Sequence, residues 1–154
     1  MEIVPANNAK RWQEILDRIG QYDTYHLASY HSLAMAADEG DGYLFCHAEG
    51  DCIVACPFLV RSVDSIPGLE QVGAGYKDAT SVYGYPGPIV SLAARNNRAF
   101  LARFEELLLA TAKELKLVTM FSRLNPIFEN HQHTQGLGEI AGLGETVWID
   151  LKET

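Results

Sequence analysis

The chain predicts an α+β or mixed α/β domain built on a central, mainly antiparallel sheet with flanking helices. Three observations carry this. Two stretches, near residues 10–19 and 97–117, space their apolar residues as one helix face. YLFCHA and CIVACPFLVRSV flank the short EGD connection as the arms of a hairpin. No repeat, low-complexity tract or flexible linker divides the 154 residues, so residues 1–154 read as a single domain, long enough to bury its own core.

The elements follow in order. EIVPA reads as a short strand, and Asn7 or Asn8 can cap the helix after it. In that helix Trp12, Ile15, Leu16 and Ile19 recur at helical spacing, with Lys10, Arg11, Glu14, Asp17 and Arg18 on the other side; it should stop near Gly20. A second helix is expected from about His26 to Ala37, with Leu27, Tyr30, Leu33 and Ala34 inward, before EGDG ends it. The hairpin spans residues 43–62. Its second arm is nearly all apolar and should lie inside the sheet with both faces covered, while Pro57, lacking an amide donor, implies a bulge or local edge.

After SIPGLEQVGAG comes DATSVYGYPGP, residues 78–88, where Gly84, Pro86, Gly87 and Pro88 forbid a helix and specify a loop of restricted shape. NNRAFLARFEELLLATAKELK is the strongest helix. Phe100, Phe104, Leu108 and Leu115 form its stripe, Leu101, Leu107 and Ala112 widen it, and Asn96 or Asn97 caps it. VTMFSRL reads as a strand, NPIFENHQHTQ as a turn with a short helical piece, and GEIAGLGETVWIDL as a second hairpin.

Composition narrows the function classes. Hydrophobic residues make up 47% and charged residues 21%, no apolar run reaches the ~18 residues of a bilayer span, and MEIVPANNAK is too polar for a secretory signal, so a cytoplasmic chain is expected. The net charge of −8, with 12 basic residues scattered among 20 acids, argues against a DNA-binding footprint. Cys46, Cys52 and Cys56 read as reduced, buried thiols and not as a disulfide framework; no metal site is expected.

No nucleophile elbow, phosphate-binding loop, dinucleotide fingerprint, metalloprotease motif or calcium loop occurs. GAG at 73–75 reads as a turn. His131 and His133 have no third ligand nearby and read as solvated. His26 or His31 can serve either as a general base or in a structural role. Asp78 either caps a turn or orients a substrate amine. Arg123, at the end of an apolar strand, can fork onto a carboxylate or phosphate or pair with an internal acid. Tyr76, Tyr83 and Tyr85 place large flat rings on or near a stiff loop, as ligand clefts do, although core packing would also use them.

Together, DATSVYGYPGP, FSRLNPIFEN about forty residues later, and the closing GETVWIDL resemble the amino-terminal half of bacterial FemAB-type proteins. These are the peptidoglycan interpeptide-bridge aminoacyltransferases and their relatives in the GNAT superfamily; the likeness spans residues 22–151. The resemblance implies a GNAT-like domain followed, in the complete protein, by a carboxy-terminal GNAT-like half. It implies an acyl or aminoacyl transferase that acylates an amine acceptor, plausibly a cell-wall precursor. No tightly bound cofactor is implied; acyl-CoA or aminoacyl-tRNA would be the donor co-substrate. Ser81, Tyr83, Tyr85 and Arg123 would line the acceptor cleft, and no catalytic base is carried over.

This sequence departs from the pattern in lacking the R/Q-x-x-G-x-G/A loop by which a donor-binding half holds pyrophosphate, and it has no basic helical arm for tRNA. Two other readings therefore stand beside the transferase: a noncatalytic domain that binds a glycan, peptide or partner, and a small-molecule N-acetyltransferase. A domain separated from its other half would also expose an apolar face and could self-associate.

Overall fold

The computed structural model describes residues 1–147, 149 and 150. Among them six strands form one sheet with three α-helices packed against it: β1 (Glu2–Pro5), α1 (Ala9–Ile19), α2 (Ala28–Ala36), β2 (Asp41–Glu49), β3 (Cys52–Ser62), β4 (Lys77–Thr80), β5 (Ile89–Val90), α3 (Arg98–Glu114) and β6 (Leu117–Phe121). The strand order is β1-β2-β3-β4-β6, with β5 also on β3. Every pairing is antiparallel except β4 with β6, between which β5 and α3 intervene in the chain. The α+β class with a mainly antiparallel sheet is thus observed.

The capping residues act as their chemistry dictates. Asn8 Oδ1 accepts the Arg11 amide at 3.4 Å to start α1, and Gly20, at φ 79°, ends it by donating its N–H to Leu16 O at 2.9 Å. Asn97 Oδ1 accepts the Phe100 amide at 3.1 Å to start α3. The inward stripe of α1 is Trp12, Ile15, Leu16 and Ile19; that of α3 is Phe100, Leu101, Phe104, Leu108 and Ala112, all buried.

The two stripes cover opposite faces of β3. Ile53 and Ala55 pack in the cluster built on α1, with Val4, Leu44 and Cys46. Val54, Cys56, Phe58 and Val60 pack with Ala79 under α3. Both faces of β3 are therefore dry, which is why its eight residues 53–60 are buried without an alternating pattern. Burial also pushes the Cys46 thiol up to about 11 and the Cys56 thiol higher still, so both act as inert packing groups; Cys52 is only half-buried, and all three are free.

Pro57 stands at a local edge within the sheet. Its register with Leu44 of β2 is unbroken. Ile53 donates its N–H to Ser91 Oγ at 3.0 Å and accepts the Ser91 amide at 2.9 Å, so by alternation residues 53, 55, 57 and 59 direct their polar backbone groups away from β2. On that side β5 pairs with residues 54–55 and β4 with 59–62, leaving 56–58 without a strand partner. The one residue without an N–H sits where no acceptor strand exists.

Three expectations need correction. The helix expected from His26 begins instead as a 3₁₀ turn, Thr24–His26, and α2 starts after an extended Leu27; its buried residues are Ala28, His31 and Ala34, while Leu33 is 66% exposed. His31, which was not on the expected apolar side, packs its ring against Trp12 at 5.0 Å between centroids. The second hairpin is absent among the described residues: 138–147, 149 and 150 form no strand, whereas Trp148 and residues 151–154 lie outside them. Its Gly-rich GLG stretch has no neighbouring strand to define a register, and Leu143 and Val147 stand in solvent. Finally, β4 and β5 occupy parts of a region read wholly as loop, being too short and, in KDAT, too polar to show a strand pattern.

Candidate functional site

β4 and β6 end together, and the candidate site is built on that shared end. The Ser81 amide donates to Phe121 O at 2.9 Å, one step past the parallel ladder, and the Arg123 amide then donates to Ser81 Oγ at 3.2 Å. Ser81 is buried, so its hydroxyl serves as a clasp between the two departing chains and is not presented to a ligand.

Beyond the clasp, residues 81–88 leave the sheet and return as β5. Gly84 (φ 113°) and Gly87 (φ 52°) set the path. A Cβ on Gly84 would lie 2.2 Å from the Tyr25 ring, and one on Gly87 would lie 2.0 Å from Asn130 Nδ2. The two glycines are thus required both by conformation and by the close approach of FSRLNPIFEN and of the segment before α2.

Five side chains gather on the outer side of this loop. The Tyr25 ring stands edge-on to Tyr30 at 5.6 Å and to Tyr85 at 6.3 Å. The Tyr30 hydroxyl donates to Tyr83 O at 3.2 Å. The Arg123 guanidinium carbon lies 5.2 Å from the centre of the Tyr83 ring, a cation–π contact. Tyr83 is 77% exposed and Tyr85 40%. Three of the expected residues, Tyr83, Tyr85 and Arg123, therefore meet on one surface, joined by Tyr25 and Tyr30, which sequence reasoning had not placed there. Arg123 pairs with no carboxylate among the described residues.

A partly buried polar network holds this surface from beneath. Asp23 is its hub: Oδ1 accepts the Tyr25 amide at 2.9 Å and lies 2.9 Å from His26 Nδ1, while Oδ2 accepts Asn125 Nδ2 at 2.8 Å. Asn125 Oδ1 in turn accepts the amides of Ile127 and Phe128, at 2.9 and 3.2 Å. Asn130 Oδ1 accepts the Asn125 amide at 2.8 Å and Asn130 Nδ2 donates to Pro86 O at 3.4 Å. Asn125 and Asn130 are both buried. Short-range Asx patterns in NPIFEN hint at the local bonds, but nothing in the sequence marks Asp23 as their common partner.

The remaining candidates fall elsewhere. His26 and His31 are completely buried, with Nε2 of each lacking a hydrogen-bond partner, so neither can take a proton from a molecule bound at the surface. Burial holds His31 down to about 4. Asp78 neither caps a turn nor waits for an amine: it accepts Arg61 Nε at 3.1 Å in a two-pronged ion pair. Tyr76 is exposed, with no ring contact to the other tyrosines. His131 is exposed as expected, but His133 is half-buried, its Nδ1 is buried without a partner, and burial with the nearby Arg95 charge lowers its pKa. His131 borders a depression with Arg95, Asn96 and Arg98 at the start of α3, and His133 borders another with Gln21, Pro88, Arg95 and Asn130.

No group of three or more His, Cys, Asp or Glu side chains placed to hold a metal occurs among the described residues, and no helix among them is long and apolar enough to cross a membrane. No family model, no curated protein sequence and no solved structure matches the chain.

Proposed function

We propose that this chain is the acceptor-binding, GNAT-like half of an acyl or aminoacyl transferase, its complete protein using acyl-CoA or aminoacyl-tRNA to acylate an amine in peptidoglycan or other cell-envelope synthesis. The observation that carries the reading is the Arg123 guanidinium: it is held over the exposed Tyr83 ring and has no carboxylate partner among the described residues. A cation so placed beside aromatic rings suits an acceptor that carries a carboxylate together with its amine. Tyr83 and Tyr85 supply flat surfaces for the rest of the molecule.

In the reaction, the acceptor nitrogen forms a bond to the donor carbonyl carbon while the bond to the thiol sulfur or ribose oxygen breaks, and the amine proton passes to the departing thiolate or alkoxide. Positioning supplies most of what such a step needs. No residue here is assigned to the donor, whose site belongs to the second half.

The noncatalytic reading is favoured by a different observation. His26 and His31, which follow Tyr25 and Tyr30 in the chain, are sealed from the surface, so neither is available there as a general base. A binding domain needs none. Mass spectrometry after incubating the chain and its complete protein with acyl-CoA or aminoacyl-tRNA and an acidic, lysine-containing peptide separates the two. Acylated peptide from the complete protein supports the transferase; peptide binding without acylation supports the binding domain.

A further inference from the structure

The two ends of the sheet differ in how they are protected. At one end, β1 is short, finishes at Pro5 and carries the Glu2–Arg11 ion pair at 2.8 Å. At the other, β6 has no strand beyond it among the described residues. Its Leu117 and Met120 turn into the core under α3, but Val118 and Phe121 are 54% and 51% exposed. The register passes from Lys77↔Leu117 to Asp78↔Thr119, so Val118 is an inserted residue and Thr119–Phe121 is the regular stretch of edge.

Charge accompanies this edge. Lys77, Lys113 and Lys116 are exposed at its beginning, the Lys77 amide bonding to Lys116 O at 3.0 Å, and none forms an ion pair with a carboxylate among the described residues. In a chain of net charge −8, this is a local cationic corner.

Residues 139–147 and 149 carry the complementary features. Leu143, Val147 and Ile149 are 90%, 93% and 71% exposed, and Glu139 and Glu145 are exposed acids among them. An apolar, acidic and extended-patterned segment without a strand partner thus accompanies an apolar, cationic edge without one. We infer that β6 is an interface for a second copy of this chain, the 139–147 segment of each copy pairing with β6 of the other across a two-fold axis. The reciprocal arrangement repeats one contact twice, satisfying both edges and both segments. It stands apart from the acceptor site and does not depend on the transferase reading.

Sedimentation velocity over a concentration series tests it, together with the surface variants Val118→Asp and Val147→Asp. The unaltered chain should pass from monomer to dimer by ~100 µM, a modest affinity suited to a short pairing. Each variant should stay monomeric at that concentration with an unchanged far-ultraviolet circular dichroism spectrum. A chain monomeric throughout overturns the inference, as do folded variants that dimerise like the unaltered chain.

Discussion

Asn130 holds the 81–88 loop to the FSRLNPIFEN segment. Its Nδ2 reaches Pro86 O at 3.4 Å while its Oδ1 accepts the Asn125 amide at 2.8 Å, and Gly87 lies so close that only its missing Cβ leaves room. Asn130→Ala leaves two buried backbone groups unpaired and is expected to cost on the order of 2–4 kcal/mol. Gly87→Ala adds a left-handed strain of roughly 1 kcal/mol to the clash. Urea unfolding of both variants measures these losses; midpoints equal to that of the unaltered chain would mean that the contact does not hold the loop.

Pro57 reverses the usual expectation for proline in a strand. Because its position faces the space between β4 and β5, Pro57→Val introduces a buried N–H with no strand acceptor. The substitution should destabilise by about 1–3 kcal/mol, although valine is the better strand former. Urea unfolding distinguishes the outcomes, and a more stable valine variant would show that the gap offers an acceptor.

Acid stability should depend on His31. Burial lowers its pKa in the folded chain to about 4, against an ordinary value near 6.5, so the folded state keeps it neutral while the unfolded chain takes up a proton. Stability is therefore undiminished by this group above pH ~6.5 and falls as the pH drops from there towards ~4, by roughly 3 kcal/mol in all. The measurement is the unfolding free energy at several pH values for the unaltered chain and for His31→Leu. The difference between the two profiles should change across that window; parallel profiles would exclude His31 as the source.

How much of this was legible in the sequence depended on locality. The caps at Asn8, Gly20 and Asn97, both amphipathic stripes and the first hairpin are set by neighbours in sequence, and all are observed. Pro57 could be read as a local edge because an amide donor is either present or not. What was missed rests on distant partners. Tyr25 and Tyr30 join Tyr83 and Tyr85 only because the segment before α2 packs on the 81–88 loop, and Ser81 becomes a clasp only because β6 ends beside β4. The apolar pattern around GETVWIDL specified a strand but supplied no partner for it.

Removing single groups from the candidate surface should separate binding from folding. Arg123→Ala loses an exposed cation–π contact worth ~0.5–1 kcal/mol, and Tyr85→Phe removes only a hydroxyl from a partly exposed ring, so unfolding midpoints should shift little. On the proposed transferase reading, both variants should impair transfer to the acceptor when placed in the complete protein, Arg123→Ala through a raised KM for acidic acceptors. Steady-state kinetics identical to those of the unaltered protein would remove the two residues from the site.

The most direct test of the acceptor surface is a titration of the ¹⁵N-labelled chain with an acidic, lysine-containing peptide, followed by amide chemical shifts. The acceptor-binding account predicts saturable shifts concentrated at Tyr25, Tyr30, Ser81–Tyr85 and Arg123, and their loss in Arg123→Ala. Unchanged spectra at millimolar peptide, or shifts centred elsewhere on the chain, would contradict it.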